Sequence, residues 1–386
     1  MSIQFNRRGF LKGATALASA ASVGGLAPNI ALASDMKVPA DLYGPTPDIA
    51  KLNSNENPYG PSPAALKAIE EASKHGAYYV SKSVRMLVDM IAERHGLTAE
   101  QISLSSGSSG ILTWTAMAAA SKGRILGPDL FWDTTARAPQ RTGAPELLRT
   151  PKTADMGIDL DAMYDMIDDS VSMVQVTNPN NPTGMLIDTD KLREFCKKAS
   201  KKTLVLVDEA YNELTDFTEK NSMIPLINEG YNVMVARTFS KIYGLAGMRV
   251  GYMMGSPENI QWVSGYGAGY FTLNQAGIAA AIATYNDFKF LDYVKSKVVE
   301  AREIVADAVK ANELKVLPSQ TNFMYVDLGN RSAEVFRQNM EKQKVLIRGI
   351  YQDYTNWSRV SMGFIKDVEK YAKAMPKALE MTPLIG

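Results

Sequence analysis

Between residues 100 and 255 the sequence alternates short apolar runs with stretches of helical apolar spacing. This alternation predicts a mainly parallel sheet between helices, because parallel strands need crossover connections and both faces of such a sheet must be covered. The predicted helices are Gly110–Ala120, Asp159–Met166 and Thr189–Ala199. The predicted strands are Ile102–Leu104, Arg124–Leu126, Met173–Val176, Thr203–Val207, Val233–Ala236 and Val250–Met253.

The N-terminus has the features of an export signal. Asn6-Arg-Arg-Gly-Phe-Leu-Lys12 precedes an apolar run from Ala14 to Leu32, and Ala31-Leu-Ala33 offers a small-x-small cleavage site. This order resembles a twin-arginine signal, although Asn6 stands where Ser or Thr is more usual. Gly and Ser lower the hydrophobicity of this run, so we do not expect it to be a permanent membrane span. We expect no stable membrane span after signal removal. A short amphipathic start of a cytoplasmic protein is the alternative to our prediction of twin-arginine export to the periplasm.

The rest of the chain predicts two domains. A long helix over Phe288–Ala311 leads out of the alternating region and into an α+β pattern of short strands and helices. We therefore predict a signal peptide, an N-terminal arm that forms part of a smaller domain, a large domain with the sheet, and a small C-terminal α+β domain. Their predicted ranges are, in that order, 1–33, 34–75, 76–287 and 288–386.

Composition argues against several classes of partner. The chain has 42 basic and 41 acidic residues, so no excess charge points to nucleic acid or to an anionic membrane. It has only two histidines and one cysteine, Cys196, which argues against a metal site built from such ligands. The expected partners are therefore small molecules.

The segment from Thr238 to Arg249 predicts a reactive amine. Lys241 lies in a turn rich in Gly and Ala, behind the apolar run Val233–Ala236. A lysine amine forms a Schiff base with an aldehyde when its surroundings lower its pKa. Ser240 and Arg249 add a hydroxyl and a planar guanidinium, which suit a phosphate. The combination suggests pyridoxal 5'-phosphate, while the alternative for this segment alone is a surface Lys and Arg beside a loop.

The turn Ser105-Ser-Gly-Ser-Ser-Gly110 lies between a predicted strand and a predicted helix. Free backbone N–H groups and the positive end of the helix dipole favour a phosphate at such a turn. Ser108 and Ser109 would add hydroxyl groups. A Gly- and Ser-rich turn that opens a helix is common, so this motif indicates a phosphate site only in combination with the other motifs.

Two further motifs each follow a buried strand. Asn178-Pro-Asn-Asn-Pro-Thr-Gly184 fixes its backbone with two prolines and a glycine, which holds an asparagine side chain at the carboxyl end of a strand. Val207-Asp-Glu-Ala-Tyr211 places a carboxylate at the end of the next strand. A buried carboxylate needs a partner, and a protonated pyridine nitrogen is a suitable one for Asp208.

Taken in order, these motifs and Asn356-Trp-Ser-Arg-Val-Ser-Met-Gly363 resemble the class I/II aminotransferases of PLP fold type I, over nearly all of the chain after the signal. Lys51-Leu-Asn-Ser-Asn-Glu-Asn-Pro-Tyr-Gly-Pro-Ser-Pro63 and the pair Arg348 and Arg359 are similar to the histidinol-phosphate aminotransferase branch. The resemblance implies an α/β fold with a large domain and a smaller α+β domain. It also implies transfer of an amino group between an L-amino acid, or an amine like histidinol phosphate, and a 2-oxo acid.

The resemblance implies roles for particular residues. Lys241 would be the Schiff-base lysine and Asp208 the partner of the pyridine nitrogen, both catalytic together with Tyr211. Asn181 and Tyr211 would contact the phenolic oxygen of the cofactor. The implied phosphate ligands are Ser108, Ser109, Ser240 and Arg249.

By the same resemblance Arg359 would grip a substrate α-carboxylate. The other implied substrate contacts are Tyr43, Asn57 and Arg348.

Two aromatic positions complete the implied site. Tyr79 matches a tyrosine that reaches the cofactor phosphate of the neighbouring subunit, which implies a homodimer with shared sites. Trp132 stands at the position of the aromatic ring that stacks on the cofactor, with Phe131 as the alternative.

The sequence departs from the branch in three places, which leaves the substrate open. Ser109-Gly110 stands where the branch often has an acidic pair, and Trp132 replaces a smaller aromatic residue. Val80-Ser81 replaces the Tyr-Pro-Asp pattern that follows the dimer tyrosine in the branch. A decarboxylase or lyase on the same fold, and an exported binding protein without catalysis, are the alternative functions. A nucleotide-binding dehydrogenase is less suitable, because Gly265-Tyr-Gly-Ala-Gly269 lacks a preceding strand and a downstream acid.

Overall fold

The computed structural model describes residues 39 and 41–385, so the predicted signal peptide lies outside the described residues. The chain divides into two compact units, Met1–Gly44 and Pro45–Gly386. In the described part of the first unit the backbone N–H of Leu42 donates to the carbonyl oxygen of Pro39 at 3.0 Å, which closes a turn. All strands, helices and cavity residues described below belong to the second unit.

The second unit contains strands and helices over its whole length. The strands are β1 (Ala50–Leu52), β2 (Ile102–Ser105), β3 (Arg124–Pro128), β4 (Leu148–Thr150), β5 (Val171–Thr177), β6 (Leu204–Asp208), β7 (Val233–Thr238), β8 (Gly251–Met254), β9 (Lys315–Val316), β10 (Phe323–Asp327), β11 (Val345–Ile347) and β12 (Trp357–Ser361). The helices are α1 (Pro63–Ser73), α2 (Lys82–His95), α3 (Ser108–Ala120), α4 (Leu160–Asp165), α5 (Thr189–Ala199), α6 (Pro225–Asn228), α7 (Pro257–Ser264), α8 (Gln275–Tyr285), α9 (Phe288–Ala311), α10 (Ala333–Lys342) and α11 (Ile365–Glu380).

Seven strands form the central sheet, in the order β2-β8-β7-β6-β5-β3-β4. β8 runs antiparallel to both of its neighbours, and the other pairs are parallel. The carboxyl ends of the other six strands therefore meet at one edge. This arrangement confirms the predicted α/β class with a mainly parallel sheet.

Five of the seven strands of the central sheet, β3, β5, β6, β7 and β8, contribute to two separate cores. Val205 and Val207 of β6 belong to the larger core, whereas Leu204 and Leu206 of the same strand belong to the smaller one. Successive side chains of a strand point to opposite faces of the sheet, so an uninterrupted apolar strand serves both cores. The smaller core is closed by α3 and α7, and the larger one by helices that include α5.

Two small sheets accompany the central one. β1 pairs in parallel with β11, which joins the start of the second unit to its C-terminal part. β10 lies between β12 and β9, and both pairs are antiparallel. α9 packs against α11 beside these sheets. The α+β character predicted after residue 288 is therefore present, while the predicted domain boundaries stay predictions.

The structure moves some element boundaries. α3 begins at Ser108, two positions before the predicted start, so Ser108 and Ser109 lie in its first turn. Asp159 caps α4 instead of belonging to it, because its side chain accepts from the N–H of Ala162 at 3.0 Å. The sequence did not indicate β4, a three-residue edge strand that owes its extended form to pairing with β3.

Among residues 39 and 41–385, no helix is both long and apolar enough to cross a membrane. Within the same residues, no three side chains of the His, Cys, Asp and Glu types are grouped so as to hold a metal ion.

Candidate active site

A cavity of about 340 Å³ opens at the carboxyl ends of the central strands. Thr177, Asp208 and Thr238 are the last residues of β5, β6 and β7, and all three line it. Loops that follow parallel strands leave the sheet at the same edge, which is why residues far apart in sequence meet there. The predicted site residues on its wall are Ser108, Ser109, Trp132, Asn181, Asp208, Tyr211, Ser240, Lys241, Arg249, Arg348 and Arg359.

Lys241 presents its amine to this cavity. Its Nζ donates to the carbonyl oxygen of Asn55 at 3.1 Å. Loss of hydration lowers the pKa of Lys241 to about 8, and the positive charge of Arg359 acts in the same direction. The free amine, which is the form that attacks a carbonyl group, is therefore far more populated near neutral pH than in an ordinary lysine.

Asp208 is a buried carboxyl at the end of β6. Its Oδ1 accepts from the N–H of Ala210 at 3.2 Å. Burial raises the pKa of Asp208 to about 7, although this hydrogen bond and the charge of Lys241 act in the opposite direction. A cationic ring nitrogen beside this carboxyl would stabilise its ionised form, because an opposite charge lowers the pKa of an acid.

The Tyr211 hydroxyl is held by two asparagines. Nδ2 of Asn55 donates to it at 2.9 Å, and Nδ2 of Asn181 donates to it at 3.4 Å. Ser361 of β12 orients Asn55 by donating to its Oδ1 at 2.7 Å. Burial raises the pKa of Tyr211 to about 12, so the hydroxyl keeps its proton and remains a donor toward the cavity.

The guanidinium of Arg249 lies beside the turn that opens α3. Its Nη1 donates to Ser240 Oγ at 3.4 Å and its Nη2 to the carbonyl oxygen of Ser106 at 3.4 Å. Gly107 makes this possible, since a Cβ at that position would lie 2.2 Å from Nη2 of Arg249. Gly107 has a φ of +73°, which other residues rarely adopt. The result is an anion-binding concavity with a fixed positive charge and the first N–H groups of a helix.

Arg359 of β12 lies on the wall with Asn181. It is 4% exposed, and burial lowers its pKa from the usual value for arginine. Its Nη1 donates to Asn181 Oδ1 at 3.1 Å and to the hydroxyl of Tyr351, and its Nη2 donates to the carbonyl oxygen of Asn53 at 3.3 Å. Arg348 is exposed and also lines the cavity.

The structure does not bring every predicted residue to the cavity. Asn57 is turned away, because its Nδ2 donates to the carbonyl oxygen of Ile242 at 2.7 Å and its Oδ1 accepts from Tyr59 at 3.0 Å. Asn55, two positions earlier, faces the cavity in its place. Tyr43 belongs to the first unit, so its substrate role stays a prediction.

The two aromatic candidates for ring stacking have separate positions. Trp132 lines the cavity, whereas Phe131 is buried in the smaller core. A Cβ on Gly127 would lie 2.6 Å from the Phe131 ring, which shows how closely that ring packs on β3. The geometry therefore favours Trp132 as the ring next to the cavity.

Comparison with known proteins decides what family this site belongs to. The family described as aminotransferase class I and II matches residues 47–375, which include the whole lining of the cavity. The chain belongs to this aminotransferase family.

Individual proteins that are similar to this chain are also aminotransferases. Histidinol-phosphate aminotransferase 1 of Dechloromonas aromatica is 34% identical over 351 residues, which cover 90% of this chain and 93% of the relative. Histidinol-phosphate aminotransferase of Moorella thermoacetica is 32% identical over 334 residues and 86% of each chain. Among solved structures, histidinol-phosphate aminotransferase from Sinorhizobium meliloti in complex with pyridoxal-5'-phosphate has a TM-score of 0.77 at 26% identity, covering 86% of this chain and 91% of that one.

This aminotransferase is a transaminase of fold type I that depends on pyridoxal 5'-phosphate, as predicted. The cavity residues fit that cofactor. The cradle of Gly107 and Arg249 suits its phosphate, the buried carboxyl of Asp208 suits a protonated ring nitrogen, and the amine of Lys241 suits its aldehyde.

The motifs of the sequence did not indicate Tyr351, whose hydroxyl contacts Arg359 and Asn181. They also gave no role to Asn53 and Asn55, although both belong to the segment that carried the resemblance. Tyr351 lies in a loop without apolar periodicity or a motif, so its place in the site becomes apparent only from its contact with Arg359.

Proposed function

We propose that this aminotransferase transfers an amino group between a 2-oxo acid and an amine related to histidinol phosphate, with an L-amino acid as the other amino donor. The observation that carries the proposal is the pair of arginines, Arg348 and Arg359, on the wall of a cavity that also presents Lys241. Two guanidinium groups suit a substrate with an anionic group at one end and a carboxylate or second polar group at the other. The names of the relatives support the phosphorylated amine.

The chain's own residues perform the proton transfers. When bound, pyridoxal phosphate supplies an aldehyde for the substrate amine and a ring that accepts the electron pair left at the substrate Cα. Lys241 would be the base that removes the proton from the substrate Cα and delivers it to C4′ of the cofactor, because its lowered pKa brings the free amine closer to neutral pH. Asp208 keeps the ring nitrogen protonated, and the hydroxyl of Tyr211 donates to the phenolic oxygen. Arg249 and the N–H groups at the start of α3 hold the phosphate.

A screen of half-reactions tests this function. Purified enzyme carrying the cofactor is mixed with single amino acids and with L-histidinol phosphate, and the cofactor absorbance is followed. We expect conversion to the pyridoxamine form with histidinol phosphate and with at least one L-amino acid, and reversal by a 2-oxo acid. Release of carbon dioxide in place of a 2-oxo acid would instead identify a decarboxylase.

We also propose that the active enzyme is a homodimer with shared sites. Tyr79 and Phe271 are 81% and 79% exposed, and their rings meet edge to face with centroids 5.8 Å apart. Exposed large aromatic side chains that lie together favour a protein partner, and in a dimer with shared sites Tyr79 would contact the phosphate of the neighbouring subunit. Mixing the inactive variant Lys241→Ala with Tyr79→Ala would then restore activity, since one site of the mixed dimer has both native residues. No recovery after subunit exchange would contradict shared sites.

Export by the twin-arginine route is a further proposal, supported by the order of Arg7, Arg8, the apolar run and the Ala31-Leu-Ala33 site. The double variant Arg7→Lys and Arg8→Lys should remain in the cytoplasm, and the native chain should reach the periplasm with a new N-terminus near Ser34. Equal distribution of the two proteins after cell fractionation would contradict this proposal.

A further inference from the structure

The side chain of Tyr351 lies between the two arginines of the cavity. The centre of its ring is 5.2 Å from Cζ of Arg348 and 5.2 Å from Cζ of Arg359. Its hydroxyl accepts a hydrogen bond from Nη1 of Arg359 and donates to Oδ1 of Asn181 at 3.4 Å. Tyr351 is thus in contact with the group that binds a substrate carboxylate.

The hydrogen bonds of Arg359 leave little room for a carboxylate. A guanidinium has five N–H donors, two of them on each terminal nitrogen. On Nη1 both are used, by Asn181 and by Tyr351. Nε has neither a hydrogen-bond partner nor accessible surface, so a ligand in the cavity cannot reach it. On Nη2, one hydrogen bond goes to the carbonyl oxygen of Asn53.

A bidentate pair at the exposed end of the guanidinium needs one donor from each terminal nitrogen. Nη2 has a donor free for this pair, because Asn53 uses only one of its two. For Nη1 to contribute a donor, either Asn181 or Tyr351 has to give up its hydrogen bond with this nitrogen. Asn181 is 7% exposed and is also bonded to Tyr211, whereas Tyr351 is half-buried in a loop between β11 and β12. The hydroxyl of Tyr351 is therefore the partner that gives way.

We propose that the hydroxyl of Tyr351 is an exchangeable partner of Arg359, which a substrate α-carboxylate displaces and which remains in place for a substrate without one. The inference rests on the proposed function, because it concerns how one cavity takes both kinds of amino donor. A buried guanidinium without an acceptor is costly, so the hydroxyl keeps Arg359 satisfied when no carboxylate is present. Tyr351 would then be a specificity-determining residue.

The loop between β11 and β12, which carries Tyr351, has a separate contact that fixes its position when the Tyr351 side chain rotates. The hydroxyl of Tyr354 donates to Asp129, which follows β3, and Lys152 lies 3.8 Å from the same carboxylate. Tyr351 and Tyr354 are linked through their backbones, with the N–H of Tyr354 donating to the carbonyl oxygen of Tyr351 at 3.0 Å. Rotation of the Tyr351 side chain therefore leaves the anchor of the loop intact.

The test compares Tyr351→Phe with Tyr325→Phe, a control on β10 whose buried hydroxyl has no hydrogen-bond partner among the described residues. For each holoenzyme the half-reaction gives a dissociation constant and a limiting rate constant for the fastest L-amino acid of the screen and for L-histidinol phosphate. We expect the amino acid to bind about 10-fold more tightly to Tyr351→Phe, since it no longer displaces a hydrogen bond to a charged group. The limiting rates, the affinity for histidinol phosphate and all constants of Tyr325→Phe should stay within about 2-fold of the native values. Tyr351→Leu should shift the amino-acid affinity in the same direction.

Calorimetric titration with maleate, a carboxylate that cannot react, provides a second measurement. It should also bind more tightly to Tyr351→Phe than to the native enzyme. Unchanged or weaker binding of carboxylates to this variant overturns the inference, even if no amino acid reacts. Equal tightening for histidinol phosphate overturns it as well, because the hydroxyl would then compete with any anion. Absence of a half-reaction in the native enzyme, together with tighter maleate binding to the variant, would refute the proposed function alone.

Discussion

Replacement of Gly107 by alanine tests the proposed phosphate cradle directly. The new Cβ would lie 2.2 Å from Nη2 and 2.7 Å from Cζ of Arg249, far inside van der Waals contact. These atoms are the far end of a flexible side chain, so we expect the guanidinium to move away and the fold to remain. The φ of +73° at position 107 adds about 1 kcal/mol of backbone strain.

The magnitude follows from what the displaced guanidinium no longer does. A hydrogen bond to a charged group contributes about 1.5–3 kcal/mol, and each 1.4 kcal/mol changes a binding constant about tenfold. We therefore expect the dissociation constant for pyridoxal phosphate to rise by about 10- to 100-fold in Gly107→Ala. The N–H groups at the start of α3 remain, which is why binding should weaken and not disappear.

The assay is titration of the cofactor-free protein with pyridoxal phosphate, followed by absorbance. Gly247→Ala is the matched control, because a Cβ there meets nothing within 4 Å and the residue lies in the same segment as Arg249. Its affinity should equal that of the native protein. A cofactor affinity of folded Gly107→Ala within about threefold of native would refute the reasoning, since the Gly107 cradle would then contribute nothing measurable.

Three further predictions concern Lys241 and Asp208 on the wall of the cavity and the buried Glu209 that follows Asp208 in the sequence. In Lys241→Ala the visible absorbance of the bound cofactor should be lost and the rate of the half-reaction should fall by at least about 100-fold. Because burial holds the pKa of Asp208 at about 7, the native cofactor-free protein binds an extra proton between about pH 4 and 7 and loses stability as the pH rises through that range. Urea denaturation should therefore find cofactor-free Asp208→Asn more stable than native at pH 8, by up to about 4 kcal/mol, and similar at pH 4. Glu209→Gln should lower the calorimetric melting temperature by about 4–6 °C, because it breaks a buried pair with Arg237 at a cost of about 3–5 kcal/mol.

The pair of Glu209 and Arg237 shows what the sequence did not reveal. Nη2 of Arg237 lies 2.8 Å from Oε2 of Glu209, and the two side chains are 2% and 0% exposed. The N–H of Met223 donates to Oε1 of the same carboxylate at 2.7 Å. Glu209 follows Asp208 directly, yet it points to the opposite side of the strand end, into the protein. A charged residue beside a catalytic one gives no local sign of such a partner.

The sequence by itself indicated most strands of the central sheet, several helices and the candidate residues for the cofactor. Apolar periodicity is local, and the strands of a doubly covered sheet are continuous apolar runs, so β5, β6 and β7 could be found without the fold. The motifs around Asp208, Lys241 and Arg249 are also local: Asp208 ends β6, Lys241 follows β7, and Arg249 precedes the antiparallel strand β8, so all three lie at the same edge of the sheet. Parallel pairing then brings them together.

Tertiary structure decided which side chains face the cavity. Asn55 faces the cavity and Asn57 does not, although both belong to one motif, because each follows the hydrogen bonds that distant residues offer. The contact of Tyr351 with Arg359 depends on a loop held by Asp129, which follows β3 of the central sheet. Side-chain direction in loops is set by such long-range partners and not by periodicity. The sequence could therefore predict the cofactor, while the wall that selects the substrate became visible only in the folded chain.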